Sequence, residues 1–224
     1  MIHKHSLTAL ALCGIMGLSA FCTPFTAYAA YERDASGVYR MDDGIAIENV
    51  YARGIDVSHW KQDINWNAVA ADDVSFVMLG TRYQGQVDPY FRINAEGAHS
   101  AGIALGAYIY SYATTPEMAE EEADFVLDLI KDYPISYPVA FDVEDNGTLG
   151  TLTPSQVSEI INAFCQKIED AGYYPIVYAN DNWLANKIDL SAIDYDVWVA
   201  RYGRQPAYEN PVCLLYTSDA ADEL

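Results

Sequence analysis

The run Val139-Ala140-Phe141-Asp142-Val143-Glu144-Asp145 decides the fold. Its first part, from Pro138 to Phe141, reads as interior, and it ends abruptly in three carboxylates. Side chains alternate faces along a strand, so Asp142 and Glu144 are expected on one side and Phe141 and Val143 on the other. Two acids at the end of a buried strand therefore face one pocket. Two readings stay open at this point: the acids cap a neighbouring loop or pair with an arginine, or they carry chemistry.

Working outward, short β-rich runs alternate with helical patterns, which marks parallel βαβ units. Strands are predicted at 54–58, 75–80, 104–110, 139–143, 175–178 and 197–201. The helices between them carry their own punctuation. Asp88-Pro89 offers a cap and a first-turn proline, with Phe91, Ala95 and Ala98 on one face and Gly102 as the stop. Thr115-Pro116 repeats the device, with a stripe of Ala119, Ala123, Val126 and Ile130 and a water-facing set of Glu117, Glu120, Glu121 and Glu122. Thr153 and Gln156 have capping-box spacing, followed by a buried stripe of Val157, Ile160, Ile161, Phe164, Cys165 and Ile168 that stops at Gly172. This order favours an α/β fold of the β/α-barrel (TIM-like) kind over an open doubly wound sheet, because no G-x-G-x-x-G follows the first strand. Active sites of such barrels lie at the carboxyl ends of the strands, where Asp56, Asp142 and Glu144 all fall.

The chain has 224 residues, 51% of them hydrophobic, which suits one barrel-sized domain. Lys4, the uncharged apolar run 7–21 and Ala27-Tyr28-Ala29 read as a signal peptide over residues 1–29, implying secretion. That run is short for a membrane span, and Phe21 before Cys22 is too bulky for lipoprotein processing. Residues 30–52 read as a linker or arm, with a turn at Asp42-Asp43-Gly44, and the barrel domain is expected over 53–212. Past the leader only Cys165 and Cys213 remain, so disulfides are not what holds the fold. A net charge of -20 excludes nucleic acid and anionic membrane as partners, since no basic patch is present to release counterions.

Asp56 ends the first strand within Gly54-Ile55-Asp56-Val57-Ser58-His59-Trp60, so three carboxylates are expected to converge across the pocket. Like charges held close raise one pKa and leave a protonated acid beside ionised partners. Cleavage of a glycosidic bond needs such a set: a proton for the leaving oxygen and a carboxylate for the oxocarbenium-like centre. The same acids could hold Ca or Mg, whereas zinc favours more nitrogen or sulfur ligands than His59 supplies. No G-x-S-x-G elbow supports serine chemistry. Tyr83, Tyr108, Tyr110, Tyr112, Tyr178 and Tyr202 lie on or just after predicted strands, where rings can stack on sugars or simply pack.

Asp56-Val57-Ser58-His59-Trp60, Ile64-Asn65-Trp66, the run 106–112, Phe141-Asp142-Val143-Glu144 and Val177-Tyr178-Ala179-Asn180 resemble, in this order, the glycoside hydrolase family 25 lysozymes. The resemblance covers about 53–211. It implies an irregular β/α barrel that hydrolyses the β-1,4 bond between N-acetylmuramic acid and N-acetylglucosamine in peptidoglycan. It implies Glu144 as proton donor, and Asp142 as stabiliser of the reacting centre, directly or by orienting the substrate's N-acetyl group. Asp56 would hold the network at the pocket floor. From their place at the strand mouths, Tyr83, Tyr110, Tyr178 and Tyr202 are expected to bind substrate. No metal or other cofactor is implied, and a monomer acting on glycan strands is expected. A non-catalytic wall-binding module and a hydrolase of a related N-acetylated glycan are the alternatives. Retention or inversion stays open, because same-face neighbours on a strand have Cα atoms roughly 6.5 Å apart.

The chain departs from the family at its end. Residues 213–224 look like the translation of a sequencing adapter, so native sequence is expected to end near Val212, with the barrel's last strand and last acid missing. A ring so shortened would leave two sheet edges unpaired.

Overall fold

The computed structural model describes residues 10–13, 31–41, 44–47, 50–201, 206–209 and 211–215. In chain order the strands and helices are β1 (Leu10–Cys13), β2 (Tyr31–Arg33), β3 (Tyr39–Met41), β4 (Val50–Val57), α1 (Trp66–Ala71), β5 (Phe76–Gly80), β6 (Arg82–Tyr83), β7 (Gln86–Val87) and α2 (Phe91–Ser100). They continue as β8 (Ala104–Tyr110), α3 (Pro116–Ile130), β9 (Ile135–Asp142), α4 (Pro154–Asp170), β10 (Pro175–Asn180), α5 (Asp181–Asn186), β11 (Asp196–Ala200) and β12 (Cys213–Leu215).

Seven strands, in the order β4, β5, β8, β9, β10, β11 and β12, form a curled parallel sheet, and β1 pairs with both of its ends to complete a ring. The six predicted strands are all present as neighbours in that sheet. The eighth position is held by Leu10–Cys13, inside the stretch read as a leader, and not by a strand of the domain. Cys213–Leu215, at the start of the tail, pairs in parallel with β11. Two small hairpins lie outside the ring. One, β2 with β3, falls in the stretch read as a linker or arm; Asp42 and Asp43 of its predicted turn lie outside the described residues. The other, β6 with β7, sits between β5 and α2.

Alternation along each strand separates two layers of core. Ile55, Val57, Leu105, Ala107, Ile109, Val139, Phe141, Val143, Val177 and Val199 point outward and pack with the helices. There Phe141 stacks on Phe164 of α4 at 4.1 Å between ring centroids. Phe76, Met78, Ala140, Ile176, Trp198, Cys213 and Leu215 fill the ring's interior. A Cβ on Gly54 would lie 2.3 Å from the Phe76 ring, so glycine is what lets that ring, stacked on Tyr137 at 4.4 Å, plug the lower barrel. The upper barrel is thereby left to polar side chains.

Of the three helices predicted, α3 and α4 start where expected, α2 starts later, and α1 and α5 are additional to them. Thr115 and Thr153 cap α3 and α4, the latter through a reciprocal capping box with Gln156. Gly102 and Gly172 end their helices at φ +79 and +89. Asp88 is not the cap of α2, whose N-cap is Tyr90. Its carboxylate instead accepts from the Tyr90 and His59 backbone N–H groups. Glu122 does not face water. It is 7% exposed and accepts from the Ser111 hydroxyl at 2.7 Å, the Tyr112 N–H at 3.0 Å and Arg82 at 2.7 Å. A glutamate run reads as a solvated face by composition, but here one member turns inward to pair with the half-buried Arg82.

Candidate functional site

The carboxyl ends of the strands gather the three acids. Asp142 is the last residue of β9, flanked in register by Tyr110 of β8 and Tyr178 of β10. Asp56 lies on β4, and its charge contributes to the upward push on the Asp142 pKa. Glu144 lies two residues past the end of β9, yet the extended course continues far enough for Val143 N–H to reach the Tyr178 carbonyl at 3.3 Å. Phe141 and Val143 are both fully buried among the outer core, which leaves Asp142 and Glu144 facing the pocket together. The alternation expected from the sequence holds.

The two acids are coupled by position and by hydrogen bonding. Asp142 is 7% exposed and accepts from the Glu144 backbone N–H at 3.3 Å. Burial pushes its carboxyl well above the ordinary carboxylate range, and the nearby Glu144, Asp56 and Asp145 charges push the same way. Glu144 is also raised, again mainly by burial, against a downward pull from hydrogen bonds donated by the backbone and side chain of Asn180. The pair therefore releases its protons in two steps that belong to both groups.

Asn180 sits at the end of β10 and caps α5. Its side-chain oxygen accepts from the N–H groups of Asn182 at 2.9 Å and Trp183 at 3.1 Å. With the oxygen so engaged, its amide nitrogen is the group left to meet Glu144. Beneath the acids, Tyr108 reaches across Gly80, where a Cβ would lie 2.9 Å from the phenol oxygen. Its hydroxyl bonds to Ser58, and burial with the Asp56 and Asp142 charges drives its pKa far upward. The Trp198 ring meets Tyr178 edge-on at 4.6 Å and Tyr108 at 6.4 Å.

Of the tyrosines expected at the rim, Tyr110 donates to Asp145 at 3.2 Å and lies 5.2 Å from the Tyr112 ring. Tyr178 stands beside Asp142 in register. Tyr83 occupies the β6 hairpin at the mouth of β5, packed on His59 with 3.8 Å between centroids. Tyr202 lies outside the described residues. The structure thus brings Asp56, Asp142, Glu144, Tyr83, Tyr110 and Tyr178 to one end of the ring. Tyr108, named among the strand-mouth tyrosines, joins them from below, and Asn180, Ser58 and Trp198 do so without having been assigned a place in the site. Asn180 carried a usable signal, an asparagine between a β-rich run and a helix, which is cap chemistry at a strand mouth.

A parallel β/α ring with carboxylates and aromatic rings gathered at its carboxyl end places the chain among barrel proteins whose sites lie at the strand mouths. A model of the family described as Glycosyl hydrolases family 25 matches residues 55–220, and the chain belongs to that family. The autolytic lysozyme of Clostridium acetobutylicum is 27% identical over 152 residues, 67% of this chain and 45% of that protein. Lysozyme M1 of Streptomyces globisporus is 41% identical over 63 residues, 26% of this chain and 20% of that protein. Among solved structures, the modular autolysin LytC of Streptococcus pneumoniae superposes with a TM-score of 0.70 at 25% identity, covering 82% of this chain and 46% of that one. A family 25 glycosyl hydrolase from Bacillus anthracis gives 0.63 at 20% identity, covering 73% of this chain and 76% of that one. The chain spans about half the length or less of these two lysozymes.

Proposed function

We propose that the protein is a secreted N-acetylmuramidase that hydrolyses the β-1,4 bond between N-acetylmuramic acid and N-acetylglucosamine in peptidoglycan. The observation that carries the reading is the pair of buried Asp142 and half-buried Glu144 at the mouth of β9, both members raised and both aimed into the ring's polar end. Similarity to lysozymes and to LytC, one of whose structures holds a synthetic peptidoglycan ligand, supports the choice of glycan.

In this reading Glu144 protonates the leaving glycosidic oxygen, held in its rotamer by Asn180. Burial raises Asp142 the more strongly in the free chain, so the shared proton has to pass to Glu144 as substrate binds; Asp142, then ionised, stabilises the oxocarbenium-like centre, directly or by orienting the substrate's N-acetyl group. Between the two proton losses the pair carries one proton, which supplies an acid and a carboxylate together. Asp56 acts from the floor, through its charge on Asp142 and Tyr108. Tyr110 and Tyr178 flank the pair and offer ring faces and hydroxyls to the sugars. Secretion rests on the leader pattern in residues 1–29, and cleavage of that leader would take strand β1 out of the ring. The test is release of new reducing ends from purified Gram-positive walls by the full chain, lost in Glu144→Gln. Wall binding without reducing-end release would reassign the chain as a glycan-binding module.

A further inference from the structure

Trp60 is the most conspicuous side chain that this mechanism does not use. It is 73% exposed, yet it stands on an ordered single turn, His59–Lys61, which follows β4 after Ser58. The turn is fixed from below. Ser58 caps it, and the buried Asp88 accepts from the His59 backbone N–H at 3.0 Å while lying 2.7 Å from His59 Nδ1. His59, Trp60 and Tyr83 form a three-ring cluster, with His59 tilted against Trp60 at 4.5 Å and against Tyr83 at 3.8 Å, and Trp60 edge-on to Tyr83 at 6.2 Å. A ring this exposed gains little for folding from being held so firmly. Its apolar face is pre-ordered toward solvent at the strand-mouth end of the ring.

Its position along the rim gives the face a role. Strands β4, β5, β8 and β9 are successive neighbours, and their mouths carry, in that order, Trp60, Tyr83, the Tyr110–Tyr112 pair and the Asp142–Glu144 pair. Arg82, next to Tyr83, lies over the Tyr112 ring at 5.1 Å and donates to the Tyr110 carbonyl at 2.5 Å, so the β5 and β8 mouths are tied together. Three strand spacings, roughly 14 Å, separate the β4 mouth from that of β9. That is longer than one sugar ring.

We infer that Trp60, backed by His59 and Tyr83, is a stacking platform for a sugar unit remote from the scissile bond, so that it recognises chain length and not the reacting linkage. A flat apolar face suits the axial C–H face of a β-1,4-linked N-acetylated hexose, and the acidic chain offers no charge of the sign that would draw an anionic polymer there. The inference rests on the glycan-cleaving reading for its choice of ligand, but its test does not depend on cleavage.

The test uses the full chain carrying Glu144→Gln, and titrates soluble β-1,4-linked N-acetylglucosamine oligomers, a disaccharide and a hexasaccharide, by calorimetry. The quantity read is the gain in affinity from the short to the long oligomer. Adding Trp60→Ala is expected to cut that gain by about threefold to tenfold, the scale of one aromatic contact, and Trp60→Phe is expected to restore most of it. A gain unchanged by Trp60→Ala, equally reduced by both variants, or absent before either is added, would overturn the platform. Reducing-end release by the unsubstituted chain is read separately, so loss of the muramidase reading leaves this result interpretable.

Discussion

The backbone N–H of Asn180 donates to Glu144 Oε1, tying the end of β10 to the acid that follows β9. The same asparagine caps α5, so one residue fixes a helix start and the rotamer of the proposed proton donor. The contact also opposes burial: desolvation raises the Glu144 pKa and the Asn180 donors lower it. The acid's proton affinity is thus set by a balance in which one side chain can be changed without losing the cap.

Asn180→Asp keeps an oxygen for the Asn182 and Trp183 N–H groups, since aspartate caps as well as asparagine. It replaces the amide donor facing Glu144 with a carboxylate oxygen, which favours the protonated acid. The alkaline limb of the pH–rate profile should move to higher pH and kcat should fall, with the unfolding midpoint little changed. A pH profile superimposable on that of the unsubstituted chain would remove the positioning role.

Asp142 holds a carboxyl whose folded pKa is raised, so the folded state binds more protons than the unfolded state at pH values above the ordinary carboxylate range. Stability is then greatest below the unfolded pKa and falls as pH rises toward the folded value. Asp142→Asn removes the buried charge. It should raise stability near neutral pH by about 1–2 kcal/mol and flatten the decline with pH, while abolishing turnover. Thermal unfolding measured from pH 4 to pH 8 on both chains checks the sign.

Arg82 and Glu122 form a pair whose side chains are 14% and 8% exposed. Glu122 also holds Ser111 and the Tyr112 N–H, which shape the loop after β8. Glu122→Ala leaves Arg82 enclosed beside Tyr112 without its counter-charge and should cost about 3–5 kcal/mol. Chemical denaturation gives the value directly, and a cost below about 1 kcal/mol would mean that the pair is solvated.

Strand β1 comes from the predicted leader, and among the described residues it alone joins β12 to β4. Removal of residues 1–29 opens the ring at that seam and exposes the edges of β4 and β12. The shortened chain should unfold at a lower temperature than the full chain and self-associate at micromolar concentration. Matched melting curves and sedimentation would show it.

Legibility in the sequence followed the physics of each signal. Strands buried on both faces are continuous apolar runs, so 104–110 and 139–143 could be read directly, and the alternation through Phe141-Asp142-Val143-Glu144 gave the face that the acids share. Thr153 and Gln156 announced a capping box because its two hydrogen bonds are local. Glu122 and Asp88 misled because their partners, Arg82 and His59, are 40 and 29 residues away and reach them only through the fold. Cys213–Leu215 is too short to carry a period, and its place beside β11 comes from pairing alone. Asn180 was visible within its motif, but its hold on Glu144 spans 36 residues.

The central claim is that Glu144 delivers the proton to a glycosidic oxygen in peptidoglycan. The most direct measurement is release of reducing ends from purified walls by the full chain and by Glu144→Gln, with the melting temperature recorded for both. The account predicts release by the full chain, a loss of at least about a hundredfold in Glu144→Gln, the scale of a positioned general acid, and an unfolding midpoint equal to or higher than that of the parent. Undiminished release by a folded Glu144→Gln would contradict it.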